Sequence, residues 1–168
     1  MPDGSLLVAD TGNKRILELG PGGDTIATFG SNGSGPGQFN EPVGLALGPN
    51  GDIYVADTWN GRVQHFDSSF KYLSEFPVKG WGSTEVTAKP YLVVLADGRV
   101  IISNPANGRI ELYDQQGQPV VAWELPAGTS GVKGRPVGLA LDEQGFLYIA
   151  DCAANVVYRL PVASLTGP

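Results

Sequence analysis

Gly51-Asp-Ile-Tyr-Val-Ala-Asp-Thr-Trp-Asn-Gly-Arg-Val63 decides the architecture, because its opening block returns at a fixed interval. The same block appears upstream as Gly4-Ser-Leu-Leu-Val-Ala-Asp10. Downstream it appears as Gly98-Arg-Val-Ile-Ile-Ser-Asn104 and Gly145-Phe-Leu-Tyr-Ile-Ala-Asp151. Asp10, Asp57, Asn104 and Asp151 are successive steps of 47 residues.

A period in the forties filled with short apolar runs is the signature of a β-propeller, each repeat forming one blade. The second copy gives the blade in full. Val43–Leu47 is an apolar strand led by Pro42 and closed by Pro49-Asn50-Gly51, and Asn-Gly supplies the positive φ angles of a tight hairpin. Ile53–Ala56, Arg62–Phe66 and Lys71–Phe76 follow as second, third and fourth strands. The second strands are apolar at successive positions, as expected when each blade is sandwiched between neighbours. Strands are expected near 5–9, 14–19, 25–29, 43–47, 53–56, 62–66, 71–76, 91–95, 99–103, 109–113, 119–124, 137–141, 146–150 and 156–160. Residues 1–168 thus read as one all-β propeller unit with blades near 1–30, 42–76, 90–124 and 136–161.

The second copy resembles the NHL repeat, whose pattern runs approximately Pro-x-Gly-Leu-Ala, then Gly-x-Ile-Tyr-Val-Ala-Asp-Thr-x-Asn-x-Arg-Ile. Pro42-Val-Gly-Leu-Ala46 and Gly51 through Val63 follow it closely, and Gly4 through Ile16 match in the first copy. The third copy keeps Asn107, Arg109 and Ile110 but has Asn104 in place of Asp; the fourth has Ala154 and Val156 at the Asn and Arg positions. The recurring polar residues, Asp10, Asn13, Arg15, Asp57, Asn60, Arg62, Asn104, Asn107, Arg109 and Asp151, are read as structural. Asx side chains bond turn backbone, and arginine reaches the turn's carboxylate or carbonyls.

The first copy starts at its second strand and the last stops after its third, which makes about three and two-thirds blades. Propellers resembling this one usually close at six. Three arrangements would cover the terminal faces: a longer propeller with Met1 marking a truncation, association of two or more chains, or a compact four-bladed ring. Self-association or the remainder of a longer propeller is therefore the expected partner.

Composition narrows function. A net charge of −6 argues against a nucleic-acid surface, which needs clustered Lys or Arg. No apolar stretch reaches 18 residues, so no membrane insertion by this chain is expected, and Met1-Pro2-Asp3 has no signal-peptide character. Cys152 is the only cysteine; it is expected to be a small buried residue and cannot form an intrachain disulfide. His65 is the only histidine, so a multi-histidine zinc site cannot form within one chain. It is read as an ordinary surface or edge residue, and no metal, cofactor or catalytic residue is expected.

The expected function is non-enzymatic recognition or scaffolding of a protein or small ligand. The connectors between blades are the longest irregular segments, and they share a face with the second-to-third-strand turns. Glu41, Lys89 and Arg135 end these connectors at equivalent positions, and Trp59 and Trp81 lie in loops on that face. Exposed tryptophan suits recognition because it offers a large rigid face and one donor. The alternative is part of a larger propeller enzyme. The resemblance extends to lyases and hydrolases with a metal on the axis, whose catalytic residues would then lie outside this chain. Lys89-Pro-Tyr91 and Asp57-Thr-Trp-Asn60 look most like propeller regions appended to bacterial membrane or cell-surface proteins, which implies an extracytoplasmic setting.

Overall fold

Gly51, Gly98 and Gly145 all adopt φ near +80°, and each closes a tight turn by donating its N–H to the carbonyl three residues back. Only glycine takes that backbone without strain, so the repeated glycine sets where each second strand begins. The computed structural model describes residues 1, 3–82, 89–127, 131 and 133–166. The middles of the two later connectors lie outside these.

Every expected strand is present, its ends shifted by no more than one residue. Strands β1 (Leu6–Asp10), β2 (Arg15–Leu19) and β3 (Thr25–Phe29) make the first sheet. A two-stranded parallel pair follows, β4 (Ser31–Asn32) with β5 (Gln38–Phe39). The second sheet orders β6 (Pro42–Leu47), β7 (Ile53–Asp57), β8 (Arg62–Phe66) and β9 (Tyr72–Pro77). The third repeats it with β10 (Leu92–Val94), β11 (Val100–Asn104), β12 (Arg109–Tyr113) and β13 (Pro119–Glu124). The fourth has three strands, β14 (Pro136–Leu141), β15 (Phe146–Asp151) and β16 (Val156–Pro161), before a single helical turn α1 (Val162–Thr166). All neighbours within the four sheets are antiparallel and follow chain order.

Three apolar cores lie between successive sheets. Ile16, Phe39, Ile53, Val55 and Phe66 join the first to the second. Tyr54, Ala56, Phe76, Val100, Ile102 and Tyr113 join the second to the third, and Ile101, Ile110, Leu112, Leu147 and Ile149 join the third to the fourth. Both faces of β7 and β11 are therefore buried. The terminal sheets differ. Leu6 is 62 % exposed where its equivalent Ile53 is fully buried, and Val157 is 64 % exposed where Ile110 is fully buried. The outward faces of the first and last sheets are thus exposed in this structure.

Each sheet carries a carboxylate at the turn after its second strand or on the facing third strand, and in the second and fourth sheets it also bonds the connector. Asp57 is fully buried and accepts from four donors: Asn40 N at 2.7 Å, Asn60 Nδ2 at 2.8 Å, Arg62 Nε at 2.9 Å and Gln64 Nε2 at 3.1 Å. Arg62 then spends its remaining donors on Gly35 O, Gln38 O and Glu75 Oε2. In the first sheet Asp10 takes the bonds from Asn13 and Arg15. The third sheet corrects the expectation that Arg109 serves the turn residue. Arg109 Nε donates to Glu111 Oε1 at 2.6 Å, and Asn104 donates to the same oxygen at 2.9 Å. Asp57 with Gln64 has become Asn104 with Glu111; acid and amide have exchanged places while one carboxylate per sheet is kept. In the fourth sheet Val156 replaces the arginine. Asp151 Oδ1 accepts from the N–H groups of Arg135, Ala153 and Ala154, but its buried Oδ2 has no hydrogen-bond partner among the described residues.

Removing Asp57 leaves Arg62 with only the part-exposed Glu75 as counter-ion and takes the acceptor from Asn40, Asn60 and Gln64, and breaking a buried pair costs about 3–5 kcal/mol. Asp57→Ala is accordingly expected to lower the urea midpoint by that equivalent, and a loss below about 1 kcal/mol would contradict the buried network. The exchange between sheets gives a second expectation. Asn104→Asp and Glu111→Gln should each destabilise by about 1–3 kcal/mol. The double variant, which recreates the Asp57–Gln64 pattern, should recover more than half of the summed loss in a double-mutant cycle.

Candidate functional site

Two neighbouring strand turns converge on the end of one connector. The β1–β2 link, Thr11–Asn13, and the β7–β8 link, Thr58–Asn60, are single 3-10 turns. Thr11 Oγ1 donates to Pro42 O at 2.6 Å, while the N–H groups of Thr58 and Trp59 donate to Glu41 O and Asn40 O at 3.1 and 3.0 Å. Strand turns and connector therefore share a face, and Trp59 stands beside Glu41 with its ring exposed.

Glu41 is the hub. Its carboxylate accepts from Lys14 Nζ at 3.0 Å and from Lys89 Nζ at 2.7 Å, so residues from three sheets' boundaries meet there. Both ammonium groups also face the Trp59 ring, at 4.9 and 5.5 Å from its centroid. Those distances lie within the range in which a cation is attracted to the ring face. Burial raises the Glu41 pKa, but the hydrogen bonds from Lys89 and Lys14 outweigh it and hold the carboxyl below the usual glutamate range.

The backbone of the cluster is strained. Lys14 has φ +57° and Glu41 φ +68°, left-handed values uncommon for residues with a Cβ. Lys14 ends its 3-10 turn where Gly61 ends the next and where Gly108 stands in the third sheet, each at φ +64°. Lysine thus occupies a position that suits glycine. This residue was absent from the sequence-level site; comparing its register with Gly61 and Gly108 was the signal that could have found it.

The cluster holds Glu41, Trp59 and Lys89 of the five expected face residues. Trp81 is half-buried against the core between the second and third sheets, its indole N–H 3.3 Å from Ser103 O, so it fills a gap and offers little face. Arg135 stands at the start of β14, where its N–H donates to Asp151 Oδ1 and its carbonyl accepts from Cys152 N. Asn107 donates to Lys79 O, and Asn60 also donates to Gly33 O, so the turn asparagines anchor connectors as well as turns.

Two other expectations need correction. Cys152 is exposed, whereas its equivalent Thr58 is buried and Thr11 bonds Pro42 O of the following sheet. His65 is half-buried rather than free at the surface: it stacks on Tyr54 with 4.1 Å between centroids, its Nε2 lies 3.1 Å from Asp52 Oδ2, and its Nδ1 lies 3.4 Å from Ser74 Oγ. No group of three or more metal-type side chains comes together among the described residues.

The NHL repeat model matches residues 39–66, the span from the connector's end through β8. No curated protein sequence matches the chain. Among solved structures it is similar to a streptogramin B lyase, with a TM-score of 0.72 and 18 % identity over 97 % of this chain and 50 % of that one. Virginiamycin B lyase from Staphylococcus aureus gives 0.71 and 18 % over 96 % and 50 %. Kuenenia stuttgartiensis hydrazine synthase gives 0.70 and 14 % over 97 % and 44 %. The chain spans about half the length of these proteins, and at such identities the likeness is one of fold. Residues 39–66 match the NHL repeat, and the four sheets are built as the blades of a β-propeller.

Proposed function

We propose that the chain is a non-enzymatic recognition module that engages its partner through the connector face, with Trp59 as the anchor. The observation that carries this reading is an exposed indole whose ring is met by two lysine ammonium groups, both held by one part-buried glutamate. A rigid aromatic anchored on a scaffold loses little entropy on binding, which is why tryptophan dominates binding hot spots. Two cations against one carboxylate leave the cluster net positive within an acidic molecule. It suits a peptide that pairs an apolar side chain with a carboxylate.

A second reading keeps the module inside a larger propeller enzyme, with catalytic groups outside this chain. It is favoured by the likeness to lyase and hydrazine synthase chains of which this one spans about half. The two readings separate on whether Trp59 recognises anything by itself.

A displayed library of random peptides, panned on the chain, tests the first reading. Enriched peptides should combine aromatic or aliphatic residues with Asp or Glu, and Trp59→Ala should weaken them by about 2 kcal/mol or more, roughly 30-fold. Undiminished binding to Trp59→Ala, or no enrichment at all, would remove the proposal.

The ion pairs of Glu41 also predict a pH dependence. A carboxyl held below its unfolded value near 4.3 contributes stability that is fully present above that pH and is lost as pH falls through the folded value. The stability difference between the natural chain and Glu41→Gln should therefore be constant near neutrality and shrink on acidification below about pH 4.3. A difference independent of pH down to about pH 3 would show that the carboxylate's charge is not what the lysines use.

A further inference from the structure

The third sheet leaves open a place that the second sheet fills with its own side chains. A cleft of about 390 Å³ is bounded by Pro77 and Lys79 after the second sheet and by Arg109, Tyr113, Pro119 and Ala122 of the third. Its size lies in the range of small-molecule sites. In the second sheet Phe66 pairs with Tyr72 and Gln64 with Glu75, whereas in the third Tyr113 pairs with Pro119 and Glu111 with Ala122. A phenol and a carboxylate have given way to two small apolar residues at the same register.

The lost carboxylate changes what the arginine meets. Glu75 Oε2 accepts from Arg62 Nη1 at 2.7 Å, and the Tyr72 hydroxyl lies near that carboxylate. Ala122 offers Arg109 no such acceptor. Arg109 Nε is held by Glu111 Oε1 at 2.6 Å, but its two terminal nitrogens have no acceptor among the described residues. Glu111 has nothing left for them, since Asn104 and the Tyr113 hydroxyl also donate to it. Lys79 brings a second cation to the cleft, with no ion pair among the described residues. Glu124, opposite Arg109 on β13, is taken by Lys133 at 3.2 Å. Two cations against one committed carboxylate leave the cleft positive, and its remaining walls are apolar.

We propose that this cleft binds a small aromatic monocarboxylate, its charge on Arg109 and Lys79 and its ring against Pro77 and Pro119. The ligand supplies from solution the two groups that Tyr72 and Glu75 supply within the second sheet. A guanidinium held at Nε keeps its outer edge for a carboxylate, and such charge-assisted bonds are about twice as strong as neutral ones. The ring adds burial against the apolar walls. The cleft shares no residue with the Trp59 cluster, and the proposal stands or falls independently of the recognition reading.

The test uses the whole chain, isotopically labelled, titrated with 4-hydroxyphenylacetate. Saturable amide shifts are expected at Lys79, Arg109, Glu111 and Ala122. The neutral analogue 4-hydroxyphenylacetamide should bind at least about tenfold more weakly, and so should acetate, which lacks the ring. Ala122→Glu restores the carboxylate that caps the arginine in the second sheet, and should weaken 4-hydroxyphenylacetate by at least about tenfold. Ala122 is exposed, so a urea midpoint that is unchanged or raised certifies that this variant folds. Four results would overturn the proposal: no saturation at millimolar probe, shifts centred elsewhere, equal affinity for the amide, or undiminished binding to the Ala122→Glu chain. Acetate binding as tightly as the aromatic probe would reduce the cleft to a bare anion site, and would overturn it as well.

Discussion

A carboxylate beside the end of the second strand, fully buried in the second sheet, organises the molecule. Asp57 has no access to water, so its charge is tolerable only when donors saturate it. Those donors come from the connector, the turn and the third strand, at Asn40, Asn60, Arg62 and Gln64. None of these segments can shift without stranding the charge. The connector's end is thereby pinned onto the turn, and the surface between neighbouring sheets becomes rigid enough to carry a site.

The constraint is on the charge and its donors, not on one residue. The third sheet moves the carboxylate to Glu111 and places the amide at Asn104, and Arg109 follows the charge. Glu111 also accepts from the Tyr113 hydroxyl, and burial together with that bond pushes the phenol well above its ordinary range. At the ends of the chain the constraint loosens. Asp10 is partly exposed beside an exposed sheet face, and Asp151 keeps its backbone donors while losing the arginine. The polar network is complete only where a sheet has neighbours on both sides.

Much of this was legible in the repeat. The 47-residue period, the glycine of each hairpin and the apolar second strands located every strand of the four sheets, because those signals are local and recur. What escaped depended on contacts between copies. The short parallel pair of Ser31–Asn32 with Gln38–Phe39 sits in a glycine-rich connector with no strand pattern. It is ordered by Gln38 O accepting from Arg62 and Gln64, and by Phe39 packing on Phe66. The exchange of Asp57–Gln64 for Asn104–Glu111 is invisible when one column is read at a time, since each position alone looks like a loss. Cys152 misled because its neighbours in sequence are apolar, whereas its burial depends on a following sheet. Within the site, Glu41, Trp59 and Lys89 were read from their places on one face, but Lys14 was hidden at a position that the second and third copies give to glycine and the fourth to Asn155.

That substitution is the strongest reason to separate the cluster from ordinary scaffolding. A residue with a Cβ in the left-handed region costs roughly 1–2 kcal/mol relative to glycine. Gly61 and Gly108 show that the turn closes without any side chain there, while the fourth copy has Asn155 at φ +56° in the same position. Among the described residues four that are not glycine have positive φ, and two of them, Lys14 and Glu41, are ion-paired to each other. Part-exposed pairs of this kind contribute at most about 1 kcal/mol each, so stability alone gives little reason to accept both strained residues over glycine. What the pair does achieve is to bring two ammonium groups to one tryptophan ring on the face where connector and turns meet, and to leave that ring open to solvent.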